Sequence, residues 1–324
     1  MITVYDVSGN TICKREGGTL IGDTSIWIDL LNPTPDEDGA LETALSVDVP
    51  TRLEMREIEE SNRFYTEGKA VYMTGLALHA TETGALQTSP ITFILAGDRL
   101  ITVRYAETRA FPLFAARLAK GEVKAATGMA IFTGLLELII ERQADHIERI
   151  QDEMEKLAQQ IFGQRGTDLP SRSRRLDVLL RSVGKEGDLS SRAQESAISL
   201  QRVVSYATHA LRERNADPAI IARLDAVHRD FSSLTDSLRH LSGRIGFLLE
   251  ASLGIIANEQ NQIIKLFSVM AVMLMPPTLV ASVYGMNFKH MPELDWPFGY
   301  PLALCLMVIS ALVPFFYFRR KGWM

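Results

Sequence analysis

Hydrophobic positions change their period three times along this chain. Between residues 1 and about 105 they come as short apolar runs. Ile26-Trp27-Ile28-Asp29-Leu30-Leu31 reads as a strand stopped by Asn32-Pro33. Pro35-Asp36-Glu37 reads as a helix start with acids in the first turn, and Thr51 to Glu60 as a second helix. Three further strands are expected at Ala70 to Leu78, Pro90 to Leu95 and Arg99 to Tyr105, the last two joined by a hairpin turn at Ala96-Gly97-Asp98. Loose alternation of strand and helix indicates an α/β domain over residues 1–124.

From about Ala125 the period becomes helical. Ile147, Ile150, Met154, Leu157 and Ile161 step 3, 4, 3, 4, the spacing of a heptad seam. Residues 163–170 interrupt it. A second helical stretch passes through Leu176, Leu179 and Leu180 and continues from Asp188 to Arg214. Asp217-Pro218 then reads as an N-cap followed by proline at the first helical position. Beyond it Leu224, Val227, Phe231, Leu234, Leu238, Leu241, Ile245 and Leu248 keep the 3, 4 cadence without a miss. With no proline between Pro218 and Pro276, Ala219 to Met275 has the makings of one helix of roughly 85 Å at ~1.5 Å per residue. Residues 125–262 are therefore expected to form long helices, a stalk whose natural intrachain partner is the Ile147–Ile161 seam.

The third change is the loss of charge. Residues 266–288, 23 positions between Lys265 and Lys289, carry no Asp, Glu, Lys or Arg, and residues 296–318 are 23 more. Each run exceeds the ~20 apolar residues that cross a bilayer as a helix. The expectation for 263–324 is a transmembrane hairpin with spans at about 266–286 and 298–318. Its connecting loop holds one Lys and two acids, whereas Lys265 precedes the first span and Arg319-Arg320-Lys321 follows the second. The positive-inside rule then puts both termini in the cytoplasm. Met275-Pro276-Pro277 should kink the first helix.

Composition narrows the function. The chain is 47% hydrophobic and 23% charged with a formal net charge of −5, which disfavours a nucleic-acid surface. Cys13 and Cys305 are too few for a disulfide framework or a cysteine zinc site. The N-terminus has no basic-then-apolar signal peptide. No phosphate loop, dinucleotide fingerprint or HExxH occurs, so no enzyme is indicated. His146, His209, His228 and His240 have no histidine neighbour at i+3 or i+4 and read as packed or solvated. Glu54, Glu57, Glu59 and Glu60 lie beside Arg52, Arg56 and Arg63: a solvated face with i,i+4 pairs, or a weak divalent-cation site, since clustered carboxylates are the hard oxygen ligands of Mg²⁺.

Two helices cannot enclose a path for water, so any conduction by this hairpin needs several copies about one axis. The first span carries the polar and small residues that could line such a path, Asn261, Ser268, Thr278, Ser282 and Asn287. The second has only Ser310. Each polar residue also suits helix–helix hydrogen bonding.

At the outer end of the first span stands Tyr284-Gly285-Met286-Asn287, followed in the loop by Met291-Pro292-Glu293-Leu294. This pair of motifs resembles the signature of the CorA family of divalent-cation channels, most closely from Asn258 to the basic tail Arg319-Arg320-Lys321-Gly322-Trp323. The resemblance implies an α/β N-terminal cytoplasmic domain, a long helical stalk and a two-helix transmembrane hairpin, assembled in the inner membrane as a funnel-shaped homopentamer. It implies that Gly285, Met286 and Asn287 form the selectivity filter for Mg²⁺, with Co²⁺ and Ni²⁺ as further permeants. Asn261, Ile264, Phe267, Met275, Thr278 and Ser282 fall on pore-lining positions, Ile264 and Phe267 at a hydrophobic constriction. Phe267 is bulkier than the family's usual aliphatic gate residue, Ser282 stands where glycine is common, and Pro277 follows the usual Pro276. The resemblance also implies a regulatory Mg²⁺ sensor between subunits. Asp225 aligns with one sensor acid after a one-residue shift; its partner should come from near Glu54, with Glu57 or Glu59 substituting because Met55 stands where an aspartate is expected. Two other readings stay open: a Zn²⁺ transporter of the related branch, against which Met286 and the MPEL loop argue, and a non-conducting membrane-anchored helical scaffold or sensor.

Overall fold

A computed structural model of the chain describes every residue except 9–10, 17–20, 23, 58, 82–84, 124–126, 164–168, 288–290, 293–295 and 324. The MPEL loop residues Glu293 and Leu294 therefore lie outside the described residues. The chain divides into two compact units, residues 1–163 with 179–248, and residues 164–178 with 249–324.

The first unit is built on a seven-stranded mixed sheet in the order β2-β1-β3-β7-β6-β5-β4. Its strands are β1 (Ile2–Ser8), β2 (Thr11–Glu16), β3 (Ser25–Leu31), β4 (Phe64–Glu67), β5 (Ala70–Ala80), β6 (Leu86–Ala96) and β7 (Arg99–Arg104). Only the central pair β3–β7 is parallel. Two turns have the same chemistry. Gly68-Lys69 joins β4 to β5 and Gly97-Asp98 joins β6 to β7, each with its glycine at positive φ, as a two-residue hairpin turn with glycine first requires. The helix expected to start at Pro35 is α1 (Pro35–Leu45). Thr34 and Glu37 close a reciprocal capping box at its start. The helix expected over Thr51–Glu60 does not form. Only a 3-10 turn, Glu54–Arg56, and the single-turn α2 (Glu60–Arg63) lie there before the chain enters β4, although Thr51 and Glu54 make the same reciprocal bonds as the capping box of α1. Strands β1, β2 and β4 and helix α3 (Ala110–Ala119) are additions to the elements expected.

The two faces of the sheet bury alternate residues, as a pleated strand must. Ala70, Tyr72, Ile94, Ile101, Ile28 and Leu30 pack with Leu41 of α1 and with Met55. Val71, Met73, Phe93, Leu95 and Trp27 point the other way, onto α3 and three long helices. These are α4 (Gly128–Phe162), α5 (Leu169–Glu213) and α6 (Pro218–Tyr284). Both heptad seams are buried: Ile147, Ile150, Met154, Leu157 and Ile161 on α4, and Leu224, Val227, Phe231, Leu238, Leu241, Ile245 and Leu248 on α6. Arg223–Glu137 at 2.8 Å, Arg244–Glu155 and the Phe162–Phe247 ring pair at 6.2 Å occur in ascending order on both helices, so α4 and α6 run parallel. Gly128 is where α4 meets the sheet. Its N–H reaches Asp98 O at 2.6 Å, and a Cβ there would stand 2.3 Å from the backbone of Arg99 and Leu100.

Candidate functional site

Among the described residues, α6 (Pro218–Tyr284) and α7 (Gly299–Arg320) are the two helices long and apolar enough to cross a membrane. Pro276 and Pro277 sit inside α6, and Pro314 inside α7. Within this unit each helix shields one face. From Leu266 onward the less exposed positions of α6 are Val269, Met273, Pro276, Pro277, Val280 and Tyr284; on α7 they are Gly299, Ala303, Met307, Ser310, Ala311, Pro314, Phe315 and Phe318. Lys265 Nζ lies 5.9 Å from the ring of Trp323, so the basic residues of both chain ends gather at one end of the hairpin.

About half a helical turn from the shielded face runs a second stripe. Asn261, Ile264, Ser268, Ala271, Met275, Thr278, Ser282 and Gly285 step 3, 4, 3, 4, 3, 4, 3, and every one is exposed in the single chain. Ile264 is 61%, Phe267 64% and Met275 70% exposed, far from the burial expected of apolar side chains in a folded monomer. Five of the six sequence-assigned lining residues are on the stripe, and Phe267 borders it. Ser268 was noted for its polarity and Ala271 not at all; the signal for both was the unbroken cadence of α6. The Thr278 hydroxyl donates to Leu274 O at 2.7 Å, leaving its lone pairs outward.

The stripe ends where the helix does. Gly285 N–H donates to Ala281 O at 2.9 Å and Met286 N–H to Val283 O at 3.3 Å, and the chain then leaves the helix at Asn287. A helix C-terminus presents carbonyl oxygens and the negative end of its dipole. Asn287 adds an exposed side-chain amide to it. This is a neutral, oxygen-rich end suited to a hydrated cation.

The three candidate sensor carboxylates do not come together within one chain. Glu54 accepts from Thr51 N and Oγ1 at 2.8 and 2.9 Å. Glu57 accepts from Asn62 Nδ2, while its backbone carbonyl accepts from Arg63 Nε. Asp225, on α6, accepts from Arg212 of α5. Among the described residues no three His, Cys, Asp or Glu side chains stand close enough to hold a metal ion.

The family described as CorA-like Mg²⁺ transporter protein matches residues 22–320. The magnesium transport protein CorA of Yersinia pseudotuberculosis serotype I is 33% identical over 302 residues, covering 93% of this chain and 92% of that protein. The magnesium transport protein CorA of Haemophilus influenzae is 32% identical over 324 residues, all of both chains. The complete structure of the CorA magnesium transporter from Methanocaldococcus jannaschii matches with a TM-score of 0.79 at 17% identity, over 100% of this chain and 99% of that one. At that identity the likeness is one of fold.

Proposed function

The chain belongs to the CorA family of Mg²⁺ transporters, and from that premise we propose that it is a passive Mg²⁺ channel whose pore is lined by the Asn261–Gly285 stripe of α6, one stripe from each of five subunits. The observation that carries this reading is the stripe itself. It alternates small and polar residues with Ile264 and Met275, it is exposed along its whole length in one chain, it lies about half a helical turn from the less exposed face of α6, and it ends on Gly285-Met286-Asn287.

Mg²⁺ is small and dehydrates reluctantly, so a filter works best by bonding to its water shell. A ring of Gly285 carbonyls and Asn287 amide oxygens would accept hydrogen bonds from those waters. The converging helix C-termini add negative potential without a fixed carboxylate that would trap the ion. Thr278 and Ser282 continue the oxygen lining inward. Ile264 and Phe267 then narrow the path with apolar surface, which closes by dewetting when the ring contracts. Asn261 follows at the cytoplasmic mouth. In this reading the two spans cross the inner membrane and the basic end near Lys265 and Trp323 faces the cytoplasm with both termini, the orientation that the positive-inside rule favours. Co²⁺ and Ni²⁺ are further permeants in this reading. Glu54, Glu57 and Asp225 are the intersubunit acids that bind Mg²⁺ to hold the channel shut.

The test is uptake by proteoliposomes of the purified full chain, with an ion-specific dye for each of Mg²⁺, Co²⁺, Ni²⁺ and Zn²⁺. Saturable Mg²⁺ entry supports the channel. Zn²⁺ entry without Mg²⁺ entry would replace it with a zinc transporter.

A further inference from the structure

A cavity of about 180 Å³ opens in the first unit where β5, the start of α3 and the middle of α4 converge. Its lining holds three guanidiniums, Arg109, Arg142 and Arg149, and no Asp or Glu. Arg142 shares its charge with Asp145 at 3.1 Å. Arg109 and Arg149 have no ion pair among the described residues. In a chain of net charge −5 this is a local excess of positive charge, offset in part by Asp145 beside Arg142 and by Glu186, whose carboxylate feels Arg149. The lining also includes Ala110, the first residue of α3, which begins without a side-chain cap, so the positive end of the helix dipole adds to the same field. That field is felt by His146, whose pKa is held below its ordinary value by burial and then by Arg149, Arg142 and Arg109.

Three side-chain atoms of the cavity lining, Thr108 Oγ1, Gln143 Oε1 and His79 Nδ1, make no hydrogen bond, and Thr108 and Gln143 are each only 3% exposed. The amide orientation follows from its neighbour. Ser196 spends its one proton on Leu76 O at 2.8 Å, so it must accept from Gln143 Nε2 at 2.6 Å. Gln143 Oε1 therefore waits for a donor, while Thr108 has a hydroxyl proton to give. Buried polar groups of this kind are ordinarily satisfied, at a penalty of about 1–3 kcal/mol when they are not.

We propose that this cavity binds hydrogen phosphate, the arginines and Thr108 donating to its charged oxygens and Gln143 Oε1 accepting from its P–O–H. The cavity is smaller than the ~300–1,000 Å³ of pockets for drug-sized ligands, which favours a free oxyanion over a nucleotide. The buried amide acceptor supplies selectivity. Sulfate has no proton to offer at neutral pH, and a phosphate monoester, with its second pKa near ~6, has mostly lost its own. Bound there, the anion would tie the start of α3 to α4.

The experiment is calorimetric titration of the full chain in detergent, without Mg²⁺, with inorganic phosphate, sulfate and methyl phosphate in turn. Expected is saturable phosphate binding below about 10 mM, at least about tenfold tighter than either other anion. Arg149→Ala and Arg109→Ala, both at exposed positions, should each weaken it by about tenfold or more while leaving phosphate-free thermal unfolding unchanged. Absence of saturable phosphate binding overturns the site, as does binding that both variants retain. Equal affinity for sulfate or methyl phosphate overturns the assignment of Gln143 Oε1 and with it free hydrogen phosphate as the ligand.

Discussion

Arg212 and Asp225 are joined across the turn between α5 and α6, with Arg212 Nη2 2.9 and 2.7 Å from the two carboxylate oxygens of Asp225. The carboxylate proposed to bind regulatory Mg²⁺ is thus already neutralised within its own chain, and the metal must compete with a guanidinium. Both side chains are partly exposed, so the pair itself is worth no more than about 1 kcal/mol. Arg212→Ala should therefore shift Mg²⁺-dependent protease protection to lower Mg²⁺, by about threefold to fivefold. Neutralising Asp225, Glu54 and Glu57 together should weaken that protection. A triple variant protected as fully as the wild type would make these acids a solvated helix face and nothing more.

Asn287→Ala should abolish Mg²⁺ uptake into proteoliposomes. It removes one amide oxygen per subunit from the pore mouth, yet Asn287 is exposed and contributes no packed apolar area, so oligomeric state on size-exclusion chromatography should not change. Uptake at the wild-type rate would remove Asn287 from the filter.

Gly128→Ala should destabilise the first unit by about 1–3 kcal/mol, the usual range for forcing an atom into occupied space. The obstacle is the backbone of Arg99 and Leu100, which cannot rotate aside as a side chain would. Gly39→Ala is the control. A Cβ there meets nothing within 4 Å, and alanine in a helix interior should stabilise by up to about 1 kcal/mol. Thermal unfolding of the two variants should move in opposite directions.

Stability should fall as the solution is acidified through the histidine range. Burial lowers the pKa of His79 from the ordinary 6.5 against a weaker opposing hydrogen bond with the Gln87 backbone. Burial, Arg149, Arg142 and Arg109 lower that of His146, with Asp145 opposing. Between 6.5 and these depressed values the unfolded chain binds more protons than the folded one, so stability is full above the window and is lost as pH falls through it. Replacing both histidines with glutamine should flatten the slope of chemical-denaturation stability against pH in phosphate-free buffer just below 6.5. An unchanged slope would mean that other groups carry the acid sensitivity.

The sequence by itself determined whatever depends on a period within one element. The two heptad seams, the hairpin turn at Gly97-Asp98, the start of α1 and the two spans could be read because spacing, a glycine or the absence of charge specifies them locally. The Gly-Met-Asn motif was readable for a related reason: it is contiguous. What joins distant parts of the chain was decided only by tertiary structure. β1, β2 and β4 mix polar residues among their apolar ones and become strands by pairing with neighbours, and Thr51–Glu60 carries a helix-starting Thr-x-x-Glu like that of α1 yet yields only a 3-10 turn before α2 and β4. Arg212 and Asp225 are thirteen positions apart, Gln143 and Ser196 fifty-three, and neither pairing leaves a trace in spacing. The same holds for the pore stripe. Its cadence is in the sequence, but only the burial of Val269 and the partial shielding of Met273, Pro276 and Val280 show which face of α6 is covered, because a helix apolar on nearly every side carries no mark of the side it hides.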